Sequence, residues 1–186
     1  MVYPIVAYGN PVLKKRAKEI DKNYPGLEQL ISDMFETMYF SQGVGLAAPQ
    51  INYSIRLFVT DGKPFTEDDP KMHEFKKVFI NPVMIKEEGD EWKFNEGCLS
   101  IPGIREDVDR KEIVHLKYLD ENFAEHDEYF EGVAARIIQH EYDHLEGILF
   151  IDHLTAFKKR LLKGKLNDIS AGKVDVDYKM KFAAKK

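Results

Sequence analysis

The sequence predicts an α+β fold in which mostly antiparallel strands pack around one central helix. Several strand-like segments, joined in part by short turns, occupy residues 54–130. The period then changes, because residues 132–146 carry one stripe of side chains at helical spacing, namely Val133, Ile137, His140 and His144. Gly147 follows at the position where a left-handed residue commonly ends a helix. Strands before and around a single apolar helix are typical of this fold class.

In chain order, the first predicted helix begins after Gly26. Apolar residues recur there at helical spacing up to Met38, and the helix should end near Ser41 or Gly43. The predicted strands follow on either side of a polar loop at 62–75, and they lie at 54–61, 77–85, 91–94, 112–120 and 125–130.

The carboxy-terminal part is predicted to form a helix at 155–169 and a final strand within 174–182, and it is basic from about residue 157. From Phe157 to Lys186 there are ten Lys or Arg residues against three Asp, although the whole chain carries a net charge of -5. Such a tail is either a docking segment or a solvated helix face followed by a frayed end.

Length and composition indicate one globular domain spanning residues 1–186. Hydrophobic residues make up 44% of the chain and charged residues 32%, and no repeat or linker divides it. The pI near 5.7 argues against direct DNA binding or binding to an anionic membrane as the main role. Cys98 is the only cysteine, which excludes an internal disulfide, and no apolar run is long enough to span a bilayer. The sequence therefore predicts a cytoplasmic protein.

The segment QHEYDHLEGILF contains the pattern H-E-x-x-H at His140, Glu141 and His144. Two histidines four residues apart project from the same side of a helix, so both can bind one divalent metal while the adjacent glutamate approaches a water molecule on that metal. The alternative is a partly buried helix whose histidines are merely hydrogen-bonded.

A catalytic metal site of this kind needs a third protein ligand and one open position. The extended protease pattern requires a histidine six residues after the second one, where this chain has Phe150. No glutamate follows Glu146, so the downstream candidates are His153, which is close in sequence, and the aspartates Asp152, Asp168, Asp175 and Asp177. A small zinc protease with an aspartate as third ligand is therefore one interpretation.

Cys98 offers a third ligand from upstream. It lies in NEGCLSIPG, where Gly97 and Pro102 predict a tight, rigid loop that can present one sulfur. A lone cysteine in a cytosolic protein is also often just a small buried hydrophobe. Beside a histidine pair that lacks a downstream partner, the thiolate interpretation gains weight.

Three blocks stand in order along the chain: GVGLAAPQ at 43–50, EGCLS at 96–100 and HEYDH at 140–144. In order and spacing they closely resemble the three signature motifs of peptide deformylases, and YGNPVLKKRA at 8–17 resembles the amino-terminal segment of that family. The resemblance covers most of the chain through about residue 155. It implies a metal-dependent hydrolase that removes the formyl group from the amino-terminal formyl-methionine of newly made proteins.

The resemblance implies a ligand set. By motif position, Cys98, His140 and His144 would bind one divalent metal, which is usually Fe2+ in the cell for this family. Zn2+, Ni2+ and Co2+ are the alternatives in purified protein. A thiolate on Fe2+ would make the protein sensitive to oxygen.

The resemblance also implies roles in the reaction. Glu141 would be the acid/base residue. The side-chain amide of Gln50 and the backbone N–H of Leu99 would stabilise the oxyanion, and the backbone of Gly45 would help to align the substrate. Without the other two blocks, Gln50 would be interpreted as a surface residue that follows a proline.

Other residues are expected to support the site. Val44, Val133 and Ile137 are candidates for an apolar pocket that accepts the methionine side chain, although plain core packing explains each of them equally well. A further set should orient the ligands: Glu96 as acceptor for a histidine N–H, and Asp143 paired with Arg110 to brace the helix. Ordinary surface charges are the alternative for this set.

The expected partners are nascent peptides that begin with formyl-methionine. Some members of the family reach the ribosome through a carboxy-terminal helix, and the basic tail of this chain suggests a transient ribosome contact. A catalytically inactive, ribosome-docked protein is a further alternative, but the presence of Glu141 and Gln50 argues against it.

Overall fold

The computed structural model describes residues 1–183, in which the second to sixth strands form an antiparallel sheet whose strand order follows the sequence. The first and last strands of the described chain form a separate, parallel sheet. The strands are β1 (Ile5–Val6), β2 (Gly45–Ala47), β3 (Leu57–Asp61), β4 (Lys76–Cys98), β5 (Ile101–Leu119), β6 (Glu125–Glu131) and β7 (Met180–Lys181).

The long hairpin of β4 and β5 differs from the prediction. The strands predicted at 77–85 and 91–94 are parts of the continuous strand β4, and β5 begins well before residue 112. The intervening segment 86–90 is polar because it is mostly exposed, and register shifts on both sides of it let the hairpin bend without ending. Residues 86–90 therefore look like a loop in the sequence although they are part of a strand.

The segment predicted as a loop around Cys98 is the tip of this hairpin. Cys98 is the last residue of β4 and pairs with Ile101, so that only Leu99 and Ser100 form the turn. The sulfur therefore lies at the end of a strand, next to a two-residue turn, and not within the tight loop that was predicted.

The three α-helices of the described chain are α1 (Leu27–Phe40), α2 (Gly132–Leu145) and α3 (Ala156–Ser170). All three lie where helical spacing predicts them. Thr155 caps α3 by accepting a hydrogen bond from the backbone N–H of Lys158. Gly147, with φ of +74°, follows α2 in the left-handed conformation.

Helix α2 lies against β2, β3, β5 and β6, which makes it the central helix of the fold. Its buried residues Ile138 and Leu145 pack with Phe58 and Phe79 of the sheet and with one face of β5, which consists of Val114, Leu116 and Tyr118. Each fully buried leucine or phenylalanine contributes about 1.5–3 kcal/mol relative to an exposed position. This packing fixes the histidines of α2 relative to the sheet, and the predicted α+β class is confirmed.

The predicted final strand is much shorter than expected. Only Met180 and Lys181 form β7, and they pair in parallel with β1. The N–H of Ile5 donates to the carbonyl of Lys179 at 2.8 Å, and the N–H of Ala7 donates to that of Lys181 at 2.9 Å. The basic tail therefore returns to the body of the protein after α3.

The last two basic residues of the predicted tail, Lys185 and Lys186, lie outside the described residues. Among the residues that the structure describes, none of the helices has the length and apolarity needed to cross a membrane. A single domain over 1–186 stays a prediction.

Candidate metal centre and active site

Three side chains of types that can bind a metal converge between the tip of the β4–β5 hairpin and helix α2. The Sγ of Cys98 lies 3.4 Å from Nε2 of His144. One donor atom each from Cys98, His140 and His144 lies within 4.8 Å of the other two. One sulfur and two imidazoles form the donor set of a catalytic site that keeps one position open, so the residues fit a divalent transition metal.

The electrostatic surroundings favour the thiolate form of Cys98. Burial alone would raise the pKa of its thiol, but the charge of His144 and hydrogen bonds with His140 and His144 lower that pKa to about 5. The thiolate is the form that binds metals. Cys98 also packs at the edge of an apolar cluster around α3.

Glu96, on β4, lies beneath His140. Its Oε2 is 2.9 Å from Nδ1 of His140, which leaves the other ring nitrogen for the donor cluster. Arg110, on β5, donates to both oxygens of Glu96, at 2.7 and 3.1 Å, and also to Oδ2 of Asp143 at 2.8 Å. Burial would raise the pKa of Glu96, but hydrogen bonds from His140 and Arg110 hold it well below its usual range. The structure thus brings all three residues expected to orient the ligands into one network.

Glu141 is buried beside the two histidines. Burial raises the pKa of its carboxyl group to about 7, against the opposing influence of His140 and His144. Its Oε2 has no hydrogen-bond partner in the part of the chain that the structure describes. A carboxyl group with a pKa near neutrality can both accept and release a proton.

Gly45 is the residue of β2 that faces Glu141. A Cβ atom added at Gly45 would lie 2.4 Å from Oε1 of Glu141. Any side chain at this position would therefore force the glutamate to move. The requirement for glycine here comes from close approach and not from an unusual backbone angle.

Gln50 lies in the 3-10 turn that follows β2, and it is buried. Its Oε1 accepts a hydrogen bond from the N–H of Ala47 at 2.9 Å, which fixes the direction of the side-chain amide. Its Nε2 then points toward Sγ of Cys98, at 3.5 Å, and Oγ of Ser100, at 3.4 Å. The glutamine is thus held inside the site and is not the surface residue that the loop context allowed.

A cavity of about 210 Å³ opens beside these groups. His140 and Glu141 form part of its wall, and its apolar lining includes Val44, Leu99 and Ile137. Val133, the third predicted pocket residue, packs instead against the core that contains α2. It shares the stripe of Ile137 but stands one turn farther from His140, which explains its different position.

The sequence reasoning did not identify Arg136, although it is among the most buried side chains of the protein. Arg136 donates to Oε1 of Glu96 at 3.0 Å, to the carbonyl of Val108 at 2.8 Å and to that of Trp92 at 2.6 Å. Arg136 lies four residues, about one helical turn, before the proposed ligand His140. This spacing was the feature of the sequence that could have indicated its place beside the site.

Phe65, Phe94 and Arg105, which also line the cavity, were missed as well. Phe65 comes from the segment interpreted as a polar loop, and Arg105 comes from the start of β5, which was not recognised as a strand. Because one segment was predicted as a loop and the other was not predicted as a strand, there was no reason in the sequence to place these side chains at a site.

The family model described as polypeptide deformylase matches residues 2–160. Among curated proteins, the peptide deformylase of Christiangramia forsetii is 55% identical over 189 residues, covering 98% of this chain and 96% of that protein. The peptide deformylase of Cytophaga hutchinsonii is also 55% identical, and the alignment covers 100% of both chains.

Solved structures give the same result. A crystal structure of peptide deformylase from Plasmodium falciparum matches with a TM-score of 0.80 and 38% identity, covering 90% of this chain and 95% of that one. A peptide deformylase from Legionella pneumophila matches with a TM-score of 0.80 and 37% identity, covering 93% and 98%.

Proposed function

The chain belongs to the polypeptide deformylase family, and we propose that Cys98, His140 and His144 hold the divalent metal on which its reaction depends. The protein is a hydrolase that removes the formyl group from the amino-terminal formyl-methionine of newly made proteins and releases formate. When bound, the metal acts as a Lewis acid and lowers the pKa of water. The observation that carries the ligand proposal is the convergence of one sulfur and two imidazole nitrogens within 4.8 Å.

Glu141 is the proton carrier in this proposal. It takes a proton from the attacking water and later delivers it to the departing amine. Its raised pKa, about 7, supports both steps because neither protonation state is strongly disfavoured near neutral pH. The close approach of Gly45 keeps the carboxyl group in place, and the backbone of Gly45 aligns the substrate.

The attack on the formyl carbon turns the carbonyl oxygen into an anion. The Nε2 amide group of Gln50 and the backbone N–H of Leu99 act as the donors that stabilise this oxygen. Both are neutral donors, so they add no further charge to the site. Losing one such donor typically costs about 3–4 kcal/mol of transition-state stabilisation.

Specificity follows from the size of the groups. The formyl carbon carries only a hydrogen, so a narrow site accepts it and excludes an acetyl group or an internal peptide bond. Val44 and Ile137 contact the methionine side chain in this proposal, because both line the cavity. Val133 contributes only indirectly, through its packing in the core.

The two alternative functions that the sequence left open, a protease and an inactive binding protein, are less well supported. A protease with an aspartate ligand is not needed, since the sulfur of Cys98 lies with the histidine donors. An inactive binding protein is at odds with a buried Glu141 and a Gln50 that is aimed at the same centre.

We propose Fe2+ as the metal in the cell. A thiolate on Fe2+ is vulnerable to oxygen, which removes the metal or oxidises the sulfur. Aerobic storage should therefore inactivate Fe2+-loaded protein while a Ni2+-loaded sample keeps its activity, as measured by formate release over several hours. Equal decay of the two samples in air would contradict an iron-thiolate site.

The partners are nascent chains, and we propose that contact with the ribosome is transient and involves the basic tail. Helix α3 supports this, because its outer face exposes Lys159, Arg160, Lys163 and Lys165 together with the apolar Phe157 and Leu161. A cytoplasmic location follows from the nature of these substrates.

The decisive experiment measures formate release from a formyl-Met peptide. The protein is prepared without oxygen, loaded with metal, and compared on an acetyl-Met peptide of the same sequence. We expect formate from the first peptide and no acetate from the second, because in this proposal the site accepts only a carbonyl carbon that carries a hydrogen. A metal-loaded sample that releases no formate would refute the proposed activity.

A further inference from the structure

The segment that follows α3 lies across the tip of the β4–β5 hairpin. Residues 175–178 share a surface groove with Cys98, Leu99 and the first residues of β5. The segment is anchored on both sides of this point: Val174 and Phe182 pack on the apolar cluster around α3, and β7 pairs with β1. Its position is therefore set by packing and by backbone hydrogen bonds.

Tyr178 makes the polar contact between this segment and the turn. Its hydroxyl donates a hydrogen bond to the backbone carbonyl of Leu99 at 2.8 Å. The ring is half-buried and packs on the cluster that includes α1. The hydroxyl is thus directed by a fixed ring and not by a freely moving side chain.

The rest of the turn is held by other groups. The N–H of Tyr8 donates to the carbonyl of Ser100 at 2.8 Å, and Gln50 reaches the hydroxyl of Ser100 at 3.4 Å. A register shift between Gly97 and Cys98 interrupts the regular ladder just before the turn. Leu99 therefore depends on contacts from outside the hairpin, and among residues 1–183 its carbonyl accepts a hydrogen bond from Tyr178 alone.

We infer that Tyr178 is a positioning residue for deformylation: its hydroxyl holds the carbonyl of Leu99, and this orients the N–H of the same residue toward the oxygen that becomes negatively charged. The N–H and the carbonyl of Leu99 lie in adjacent peptide planes that are joined at its Cα through two torsions. The turn has only two residues and is closed by the pairing of Cys98 with Ile101, so the bond from Tyr178 to the carbonyl leaves these torsions little freedom and thereby restricts the direction of the N–H. The inference rests on the proposed role of Leu99. Tyr178 lies beyond residues 2–160, the part of the chain that the family model matches.

The test compares Tyr178→Phe with the unchanged protein, both full-length and loaded with Ni2+. Phenylalanine keeps the packing of the ring and removes only the donor. We expect kcat to fall about 5- to 20-fold, a part of the effect of losing an oxyanion donor, while KM stays within about two-fold. Tyr118→Phe is the matched control, since it removes a hydroxyl that bonds Glu128 at 2.6 Å at the far end of β5. Its kcat and KM should both stay within about two-fold.

A second measurement follows the N–H of Leu99 directly. In 15N-labelled protein loaded with diamagnetic Zn2+, Tyr178→Phe should shift the Leu99 amide resonance and speed its hydrogen exchange, whereas Tyr118→Phe should do neither. Thermal melting of both variants within about 4 °C of the unchanged protein shows that the fold is kept.

Each outcome has a distinct meaning. The inference is overturned if Tyr178→Phe leaves kcat, or the resonance and exchange of the Leu99 amide, as they are in the wild-type protein. It is also overturned if KM rises while kcat stays normal, because that pattern assigns Tyr178 to substrate binding. If the wild-type protein releases no formate, the proposed activity fails instead. The amide comparison still reports whether Tyr178 orients Leu99.

Discussion

At the residue scale, the surroundings of Glu141 combine burial, an unpartnered oxygen and contact with Gly45. Burial raises the pKa of this carboxyl group to about 7, and the neighbouring histidines prevent a larger rise. The oxygen Oε2, which has no hydrogen-bond partner between residues 1 and 183, is free to bond a substrate or a water molecule. A carboxyl group in this state matches the need for a group that takes up and releases a proton in one cycle.

Replacing Glu141 by Gln keeps the shape of the side chain against Gly45 and removes its ability to carry a proton. We expect kcat to fall by about 100- to 10,000-fold, the usual contribution of a general acid/base. Metal content, measured by elemental analysis, should stay at the level of the unchanged protein because Glu141 is not a proposed ligand. The control is Glu125→Gln, an exposed position on β6. A Glu141→Gln protein with more than a tenth of normal kcat would contradict the assignment.

Single residues differ in how well the sequence predicts their positions. Cys98, His140 and His144 could be proposed as ligands because their residue types are ones that bind metals and because they stand at the motif positions of the family. Arg136 and Tyr178 could not, since an arginine on a helix and a tyrosine in a basic tail are ordinary in sequence. Their importance comes from partners that are distant along the chain: Glu96 for Arg136, and Leu99 for Tyr178.

At the scale of elements, α2 and the β4–β5 hairpin are joined by a buried network of charges. Glu96 of β4 accepts hydrogen bonds from Arg110 of β5 and from Arg136 of α2, and it is also bonded to His140. Removing one member of a buried ion pair leaves the opposite charge without compensation, which costs about 3–5 kcal/mol. The network therefore supports the fold as well as the orientation of His140.

Glu96→Gln should lower the free energy of unfolding by about 3–5 kcal/mol, because two buried guanidinium groups lose their shared anion. The measurement is urea unfolding of metal-free protein at pH 7. Glu106→Gln is the control, since Glu106 pairs with Lys158 near the surface, and its loss should cost about 1 kcal/mol or less. Equal effects of the two changes would show that the buried network does not contribute specially to stability.

The same variant should change the pH dependence of stability. The folded state holds the pKa of Glu96 below its unfolded value of about 4.3, so this contribution is present above that pH and is lost as the pH falls below it. Between pH 6 and pH 3 the unchanged protein should therefore lose more stability than Glu96→Gln. An equal fall in the free energy of unfolding of the two proteins between pH 6 and pH 3 would contradict this account.

The elements themselves could be predicted to different degrees. The helices α1, α2 and α3 were predicted closely, because each has a clear apolar period. The continuity of β4 was missed because residues 86–90 are polar, and a local pattern does not show that β5 pairs with them. The two residues of β7 carry too short a pattern to be separated from their surroundings.

At the scale of the whole molecule, charge is distributed unevenly. The chain has a net charge of -5, yet the region from Phe157 onward is basic. On α3 the buried residues Leu162, Leu166 and Ile169 hold the helix on the protein, so the lysines of the opposite face point outward. This arrangement suits contact with a polyanion such as ribosomal RNA.

Changing Lys163 and Lys165 together to Glu should weaken ribosome co-sedimentation, and the loss should be larger at low salt than at moderate salt. Formate release should stay within about two-fold, because these side chains are exposed and Tyr178 is retained. The control changes Lys15 and Lys22, two other exposed lysines, to Glu. Unchanged sedimentation of the α3 variant would remove the tail from contact with the ribosome. Deleting the tail would be a poorer test, since it also removes the bond to Leu99.

The two-stranded sheet brings together residues from opposite ends of the described chain. Contacts between residues so far apart in sequence must offset the entropy of closing the long intervening loop. A pair of two-residue strands also opens at a lower free energy than the long β4–β5 ladder. Warming should therefore release β7, and with it the cover over the hairpin tip, before the core melts. Heat inactivation should accordingly be reversible over an interval of temperature below the unfolding transition.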